Sequence, residues 1–395
     1  MDEIISVTAR GIDRALRIGL GHFDEGEYEP ALAVFEEAIR RYGPDMGLTR
    51  WKGVTLRHLG RVHEAVRALE LSATEATTDS LYELALLLIE ENVDAERGFD
   101  LLEGLSARGD MPAREYLAHR AYEDGRFGEV VTLSRLPRPE DARDEWPDCV
   151  ECLETLEGIA LTEMGRLEEA RFHLKRAARL SPSCASHMTN LGRVYQIRKR
   201  YARALKCYMR AMELDTDDPI PQMNLAHLYE EMGRVDAARS LFQSLYVNCD
   251  PQVPDTAVLE DYARFLARHG EVDTAIKMVE RTLQKTEGEA AEDLAAFLGW
   301  LALDGGDAPR ARAIWEDQVA KNVTAFAARH YLAGLCAQEG DAPRALQLLD
   351  EASAIDPVAT RNWCTRPDGQ VEACFENVMH LARFRTLAGL DERRG

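Results

Sequence analysis

The hexapeptide GDAPRA stands at residues 306–311 and again, letter for letter, at 340–345, a spacing of 34 residues with unrelated sequence between. A structural period explains this more economically than a duplicated active-site loop, and a period constrains the fold more than composition does. A unit of about 34 residues cannot bury an apolar face alone, so such units must stack on one another. With Gly306 as phase marker, turn-type residues recur at Gly26, Gly60, Asn92, Gly125, Gly165, Lys199, Gly233, Gly270, Gly306 and Gly340. Lys199 is the exception in kind, while Asn92 is the next best residue after glycine for a left-handed helix end.

Around each marker the residue sizes repeat. Seven positions earlier stand only small residues: Gly19, Gly53, Ala85, Ala118, Gly158, Gly192, Ala226, Ala263, Gly299 and Ala333. Five positions later an alanine recurs, broken by Arg97 and Val130; nine later an apolar residue returns, from Phe35 and Leu69 through Leu101 and Tyr208 to Trp315 and Leu349, with Ser134 failing. This spacing predicts two amphipathic helices per unit joined by a tight turn, the small residues letting the backbones approach and the large one filling the space beside them. In GDAPRA itself, Asp307 and Asp341 are placed to cap the second helix. Pro309 and Pro343 fall in its first turn, where a missing N–H does no harm.

Units such as MTNLGRVYQIRKRYARALKCYMRAMELD and EGIALTEMGRLEEARFHLKRAARLSP, the latter with its closing Pro182, resemble the tetratricopeptide repeat family in period and in the small, small, large spacing. The resemblance covers residues 12–357 and implies an all-α, right-handed superhelical solenoid of about ten helix-turn-helix repeats. Four units form an amino-terminal block over 1–136, the last two degenerate, and six form a carboxy-terminal block over 148–357. The proline-rich, charged stretch 137–147 between them reads as a loop or hinge. In 358–395, a loop leads into a capping helix, with Val371, Phe375, Val378 and Leu381 on one stripe over the last apolar face.

Composition narrows the function. The 395 residues are 46% hydrophobic and 30% charged, which suits a folded chain. The formal net charge of −21 disfavours general binding to nucleic acid or to anionic membranes. The acidic, polar start lacks the pattern of a secretory signal, and LYELALLLI is too short to span a bilayer. Eight cysteines without a regular framework read as reduced thiols, placing the protein in the cytoplasm. GLGHFDEG holds only a partial glycine pattern, and the sequence has no nucleophile elbow, phosphate loop or HExxH motif. The expectation is therefore a non-enzymatic scaffold or adaptor without a cofactor.

By the resemblance, a partner segment lies in a concave groove lined by first helices. Through the recognisable units, the position nine before the turn, which by the resemblance often faces that groove, reads Arg17, Trp51, Leu156, Asn190, Asn224, Asp261, Phe297 and Tyr331. Asn190 and Asn224 sit in parallel contexts, TNLGRVY and MNLAHLY, and an amide can both donate to and accept from an extended backbone. One turn along follow Arg193, His227, Arg264 and Trp300; with Arg268 nearby, the arginines suit acidic partner side chains and Trp300 an apolar anchor. A clamp for chaperone tails needs a further Lys and Asn, where the chain offers Thr155 and Ile159, so such tails are disfavoured.

Two features stand apart from the groove. Residues 166–210 carry twelve Lys and Arg against two Glu, including Arg198, Lys199, Arg200, Arg203 and Lys206. They read as a solvated outer face or as a docking surface for an acidic protein, less readily for RNA. CVEC at 149–152 and CASH at 184–187 raise a zinc-stapled module held by Cys149, Cys152, Cys184 and His187, against the plainer reading of cysteine as a small core residue.

Overall fold

The size alternation around each marker becomes direct packing. A computed structural model describes residues 2–73, 78–140, 142–248, 256–365 and 371–390. Cys249, residue 141 of the expected loop, and 366–370 and 391–395 of the carboxy-terminal segment lie outside the described residues. The chain divides into two compact units, residues 1–160 and 161–395.

In the first unit, α1 (Asp2–Asp24) pairs with α2 (Tyr28–Tyr42), α3 (Met46–His58) with α4 (Val62–Ser72), α5 (Thr78–Glu90) with α6 (Ala95–Ala107), and α7 (Met111–Glu123) with α8 (Phe127–Ser134). A single turn, α9 (Ala142–Glu145), leads into α10 (Pro147–Glu163), whose residues up to 160 belong to this unit. The second unit continues with α11 (Leu167–Leu180) and then the pairs α12 (Ala185–Ile197) with α13 (Tyr201–Leu214), α14 (Ile220–Glu231) with α15 (Val235–Asn248), and α16 (Thr256–Arg268) with α17 (Val272–Leu283). Two more pairs follow, α18 (Glu289–Asp304) with α19 (Ala308–Lys321) and α20 (Phe326–Gln338) with α21 (Ala342–Ile355), then α22 (Pro357–Cys364) and α23 (Ala382–Leu387). Each unit is a stack of helical hairpins.

All ten phase markers adopt positive φ, including the two that are not glycine, Asn92 at 50° and Lys199 at 53°. The left-handed residue ends the first helix and reverses the chain within two residues, which is why an L-residue is tolerated there despite its cost. Seven positions earlier, a Cβ built on Gly192 would lie 2.6 Å from the Tyr208 ring and one on Gly53 2.7 Å from Leu69; Gly19 and Gly299 stand likewise against Phe35 and Trp315. In each case the partner is the residue nine positions after the same marker. The alanines five after the marker and the large apolar residues nine after it are fully buried through Ala31, Phe35, Ala204, Tyr208, Ala311 and Trp315. Asp307 and Asp341 accept hydrogen bonds from the backbone of Arg310 (3.1 Å) and Arg344 (3.2 Å), as the capping argument requires.

The degenerate units depart in a definable way. The turn after Asn92 holds one extra residue, so α6 starts three positions past its marker, not two. Gly98 replaces Arg97 at the close approach, and Leu102, not Leu101, is the fully buried large residue. Arg97 is left outside and pairs with Glu70 at 2.9 Å. In the next unit Val130 and Ser134 are both buried.

The segment after α8 is tied down inside the first unit. Arg135 and Arg138 reach the buried carboxylates Glu157 (2.5 Å) and Glu154 (2.9 Å) of α10, and the buried Arg114 of α7 donates to the carbonyls of Leu136 (3.3 Å) and Pro137 (3.1 Å). At the other end, the expected single capping helix is replaced by α22, a 3-10 turn at Ala373–Phe375 and the short α23. Phe375, Val378 and Phe384 are still buried against α20 and α21, so the apolar stripe covers the last face without a continuous helix.

Candidate functional site

First helices of the second unit adjoin one another: α12 packs on α14, α16 on α18, and α18 on α20. Their shared face carries the residues singled out by the repeat phase. Asn190 on α12 and Asn224 on α14 are both half-buried, and among the described residues neither amide has a hydrogen-bond partner. Their surroundings are, by contrast, densely paired.

His227 Nε2 lies 3.0 Å from Asp261 Oδ2 on the next first helix, and its ring meets Phe242 edge-on at 5.2 Å. Arg268 forks onto Glu230 at 3.0 and 2.8 Å, and His269 Nε2 stands 3.0 Å from the same carboxylate. Partial burial by itself would lift the Glu230 carboxyl, but the hydrogen bonds and charge of Arg268 and His269 outweigh it and hold the group below the usual range. Gln196 bonds Glu231 at 2.7 Å and receives the Tyr208 hydroxyl at 2.7 Å. Arg193 pairs with Glu163 at 2.8 Å.

Farther along, Phe297 and Trp300 stack at 5.7 Å with planes 9° apart, and the Arg264 guanidinium lies over both rings, 4.7 and 4.9 Å from their centroids. Arg264 also bonds Glu260 at 3.1 Å. Arg193, Arg264 and Arg268, expected to meet acidic partner side chains, thus already face the carboxylates Glu163, Glu260 and Glu230 of their own chain. Two positions expected to face the groove, Leu156 and Phe297, are core residues at 4% and 3% exposure. Trp300 remains half-buried, packed against the core clusters on either side of it. Arg17 and Trp51 belong to the first unit, where Arg17 pairs with Asp13 at 2.6 Å and Trp51 meets Phe23 edge-on.

A cleft of about 640 Å³ beside these helices is lined by Glu292, Asp293, Gln318, Phe326, Asp356 and Trp363, among others. Sequence reasoning missed it because Trp363 lies on α22, beyond the last repeat, where no periodic position assigns it a role. The aromatic spacing between Phe326 and Trp363, 5.2 Å and edge-on, was equally invisible in one dimension.

On α11 to α13 the basic island is partly neutralised. Glu168 receives both Arg171 and Arg198, Glu169 receives Arg166 at 2.8 Å, and Arg210 pairs with Glu213 at 3.0 Å. Arg203 is exposed and lies over Tyr195 at 5.6 Å. Lys199, Arg200 and Lys206 are exposed and have no ion pair among the described residues.

The thiols of α10 meet a partner set in their own unit. Cys152 Sγ lies 3.1 Å from His119 Nε2 of α7, and the Glu115 carboxylate stands against both Cys149 and Cys152. Burial and that carboxylate push the Cys149 thiol up to about 12, and Cys152 rises for the same reasons. Cys184 Sγ contacts Ser186 Oγ at 3.1 Å, and His187 is buried at the start of α12.

A tetratricopeptide repeat family model matches residues 16–80, 155–219 and 298–360. Among curated proteins, the chain is 30% identical over 155 residues to superkiller protein 3 of Schizosaccharomyces pombe, covering 38% of this chain and 11% of that protein. It is 33% identical over 69 residues to anaphase-promoting complex subunit 3 of the same organism, covering 18% of this chain and 10% of the relative. The chain thus spans about a tenth of the length of these relatives. Among solved structures, yeast Tom70 aligns over 96% of both chains at 14% identity with a TM-score of 0.41. Among the described residues no helix is long and apolar enough to cross a membrane.

Proposed function

The chain belongs to the tetratricopeptide repeat family, a family of protein–protein interaction scaffolds, and from that premise we propose that it grips an extended partner segment on the first-helix face of its second unit. The observation that carries this reading is the pair of unpartnered amides at Asn190 and Asn224, one period apart on adjoining helices. Every neighbouring polar group named above has a partner within the chain, while these two keep a donor and an acceptor available to a passing backbone. Trp300, held flat by Arg264 and Phe297, supplies an apolar anchor farther along the same side. Recognition here rests on amide and aromatic groups more than on the arginines, since those are occupied.

One relative is named as a subunit of the anaphase-promoting complex, and assembly with other proteins is part of the same proposal for this chain. The test begins with partners captured from native lysate and the bound segment mapped, followed by calorimetric titration. Asn190→Ala with Asn224→Ala is expected to weaken binding roughly tenfold to a hundredfold, about 1 kcal/mol per lost amide contact, with helicity unchanged. Unaltered affinity of the double variant sinks the groove reading.

A second reading is favoured by the three exposed cations Lys199, Arg200 and Lys206, which offer an acidic protein segment a docking patch. Charge reversal at these three positions should abolish a salt-sensitive interaction and leave a groove-bound one intact.

A further inference from the structure

We propose that Glu115, His119 and Cys152 hold a zinc ion, with Cys149 supplying the fourth ligand, as a staple between α7 and α10 of the first unit. The ligand atoms of Glu115, His119 and Cys152 all lie within 4.8 Å of one another, and the imidazole and thiolate positions are 3.1 Å apart. Ligands around a tetrahedral zinc, at bonds of roughly 2.0–2.3 Å, stand roughly 3.5 Å from each other, so small side-chain rotations suffice to close the site.

Helical spacing accounts for the convergence. Glu115 and His119 are four residues apart and Cys149 and Cys152 three apart, so each pair projects from one face of its helix. The CVEC pair flagged in the sequence therefore finds its complement on the preceding hairpin. Cys149 sits one turn before Cys152 with its thiol against the Glu115 carboxylate, outside the 4.8 Å cluster of the other three, so it is the ligand that must rotate in to complete the set. The electrostatics also call for a cation: Asp110, Asp148 and Glu151 lie near the thiols in addition to Glu115. Two sulfurs and an imidazole select zinc over magnesium or calcium, which take oxygen ligands. His119 is exposed, giving the ion a route from solvent.

The experiment uses the full chain, reduced and stripped with a chelator, titrated with Zn²⁺ against a chromophoric competitor and separately with Co²⁺ as an optical reporter. One metal per chain is expected, with a thiolate-to-cobalt charge-transfer band and the intense visible bands of four-coordination. His119→Ala and Cys152→Ser should each weaken binding by more than about tenfold, the low end of what loss of a mere outer-shell partner causes, while Cys184→Ser binds as the parent does. Zinc should also raise the thermal midpoint of the parent and not of Cys152→Ser. Absence of stoichiometric metal, a cobalt spectrum without a thiolate band, or parental affinity in both His119→Ala and Cys152→Ser overturns the assignment. Should a variant fail to fold, the cobalt spectrum of the parent alone decides it. The readout is metal binding, so it succeeds or fails independently of the groove.

Discussion

Lys199 is the residue where local preference and fold disagree most. Its φ of 53° costs a lysine on the order of 1 kcal/mol, which a glycine avoids. Lys199→Gly should therefore raise stability by up to about 1 kcal/mol in urea unfolding, while removing one exposed cation from the basic island. Gly192 makes the opposite case, because a methyl there meets the Tyr208 ring 2.6 Å away and that ring is held through its hydroxyl by Gln196. Gly192→Ala should cost about 1–3 kcal/mol, checked by the same measurement. Both effects were legible in the sequence, since size and turn chemistry are properties of single residues at fixed offsets. The pairing of Arg193, Arg264 and Arg268 was not, because a long side chain's partner depends on rotamers and on the neighbouring hairpin.

Among elements, the carboxy-terminal cap shows where periodicity stops informing. Its apolar stripe was readable, but whether those residues sit on one helix or on turns depends on the helices they must cover, and the outcome is α22, a 3-10 turn and α23. The cap encloses His330, whose imidazole is pushed down from 6.5 to about 4 by burial, with a hydrogen bond to the Trp363 backbone opposing the shift. Phe326, Trp363 and Phe375 surround the ring at 6.3, 5.1 and 5.2 Å. Between pH 6.5 and about 4 the unfolded chain binds the proton that the folded chain refuses, so stability is lost as pH falls through that window. His330→Phe should flatten that part of the profile, measured as denaturation midpoints at a series of pH values. In the first unit, Arg138 faces the fully buried Glu154, and Arg138→Ala should cost about 2 kcal/mol by removing one charge-assisted hydrogen bond to that carboxylate, read as a shift in urea unfolding.

At the scale of the molecule, each hairpin leans only on its neighbours, so damage should stay local. Truncation after Asp356 removes Phe375, Val378 and Phe384 from the last core cluster. Amide exchange in α20 and α21 should then accelerate by more than about tenfold, with α3 and α4 unchanged, as read by mass spectrometry. The same nearest-neighbour logic explains what the sequence revealed of the candidate sites. Residues that meet across adjoining hairpins are about one period apart, as with His227 and Asp261 or His119 and Cys152, so the repeat length narrows the field of partners. It cannot choose among positions within one helical turn, which is why the sequence singles out the cysteine pair and not Glu115 and His119.

The turn after Asn92 is one residue longer than its counterparts. In a sheet, such an insertion flips every later side chain to the opposite face. Here Gly98 and Leu102 step into the roles vacated by their neighbours, and by Ala118 of the following hairpin the original phasing is back. A chain put together in this manner forgets its accidents within a few dozen residues, leaving its turns free to lengthen or shrink while the surface offered to a guest stays in step.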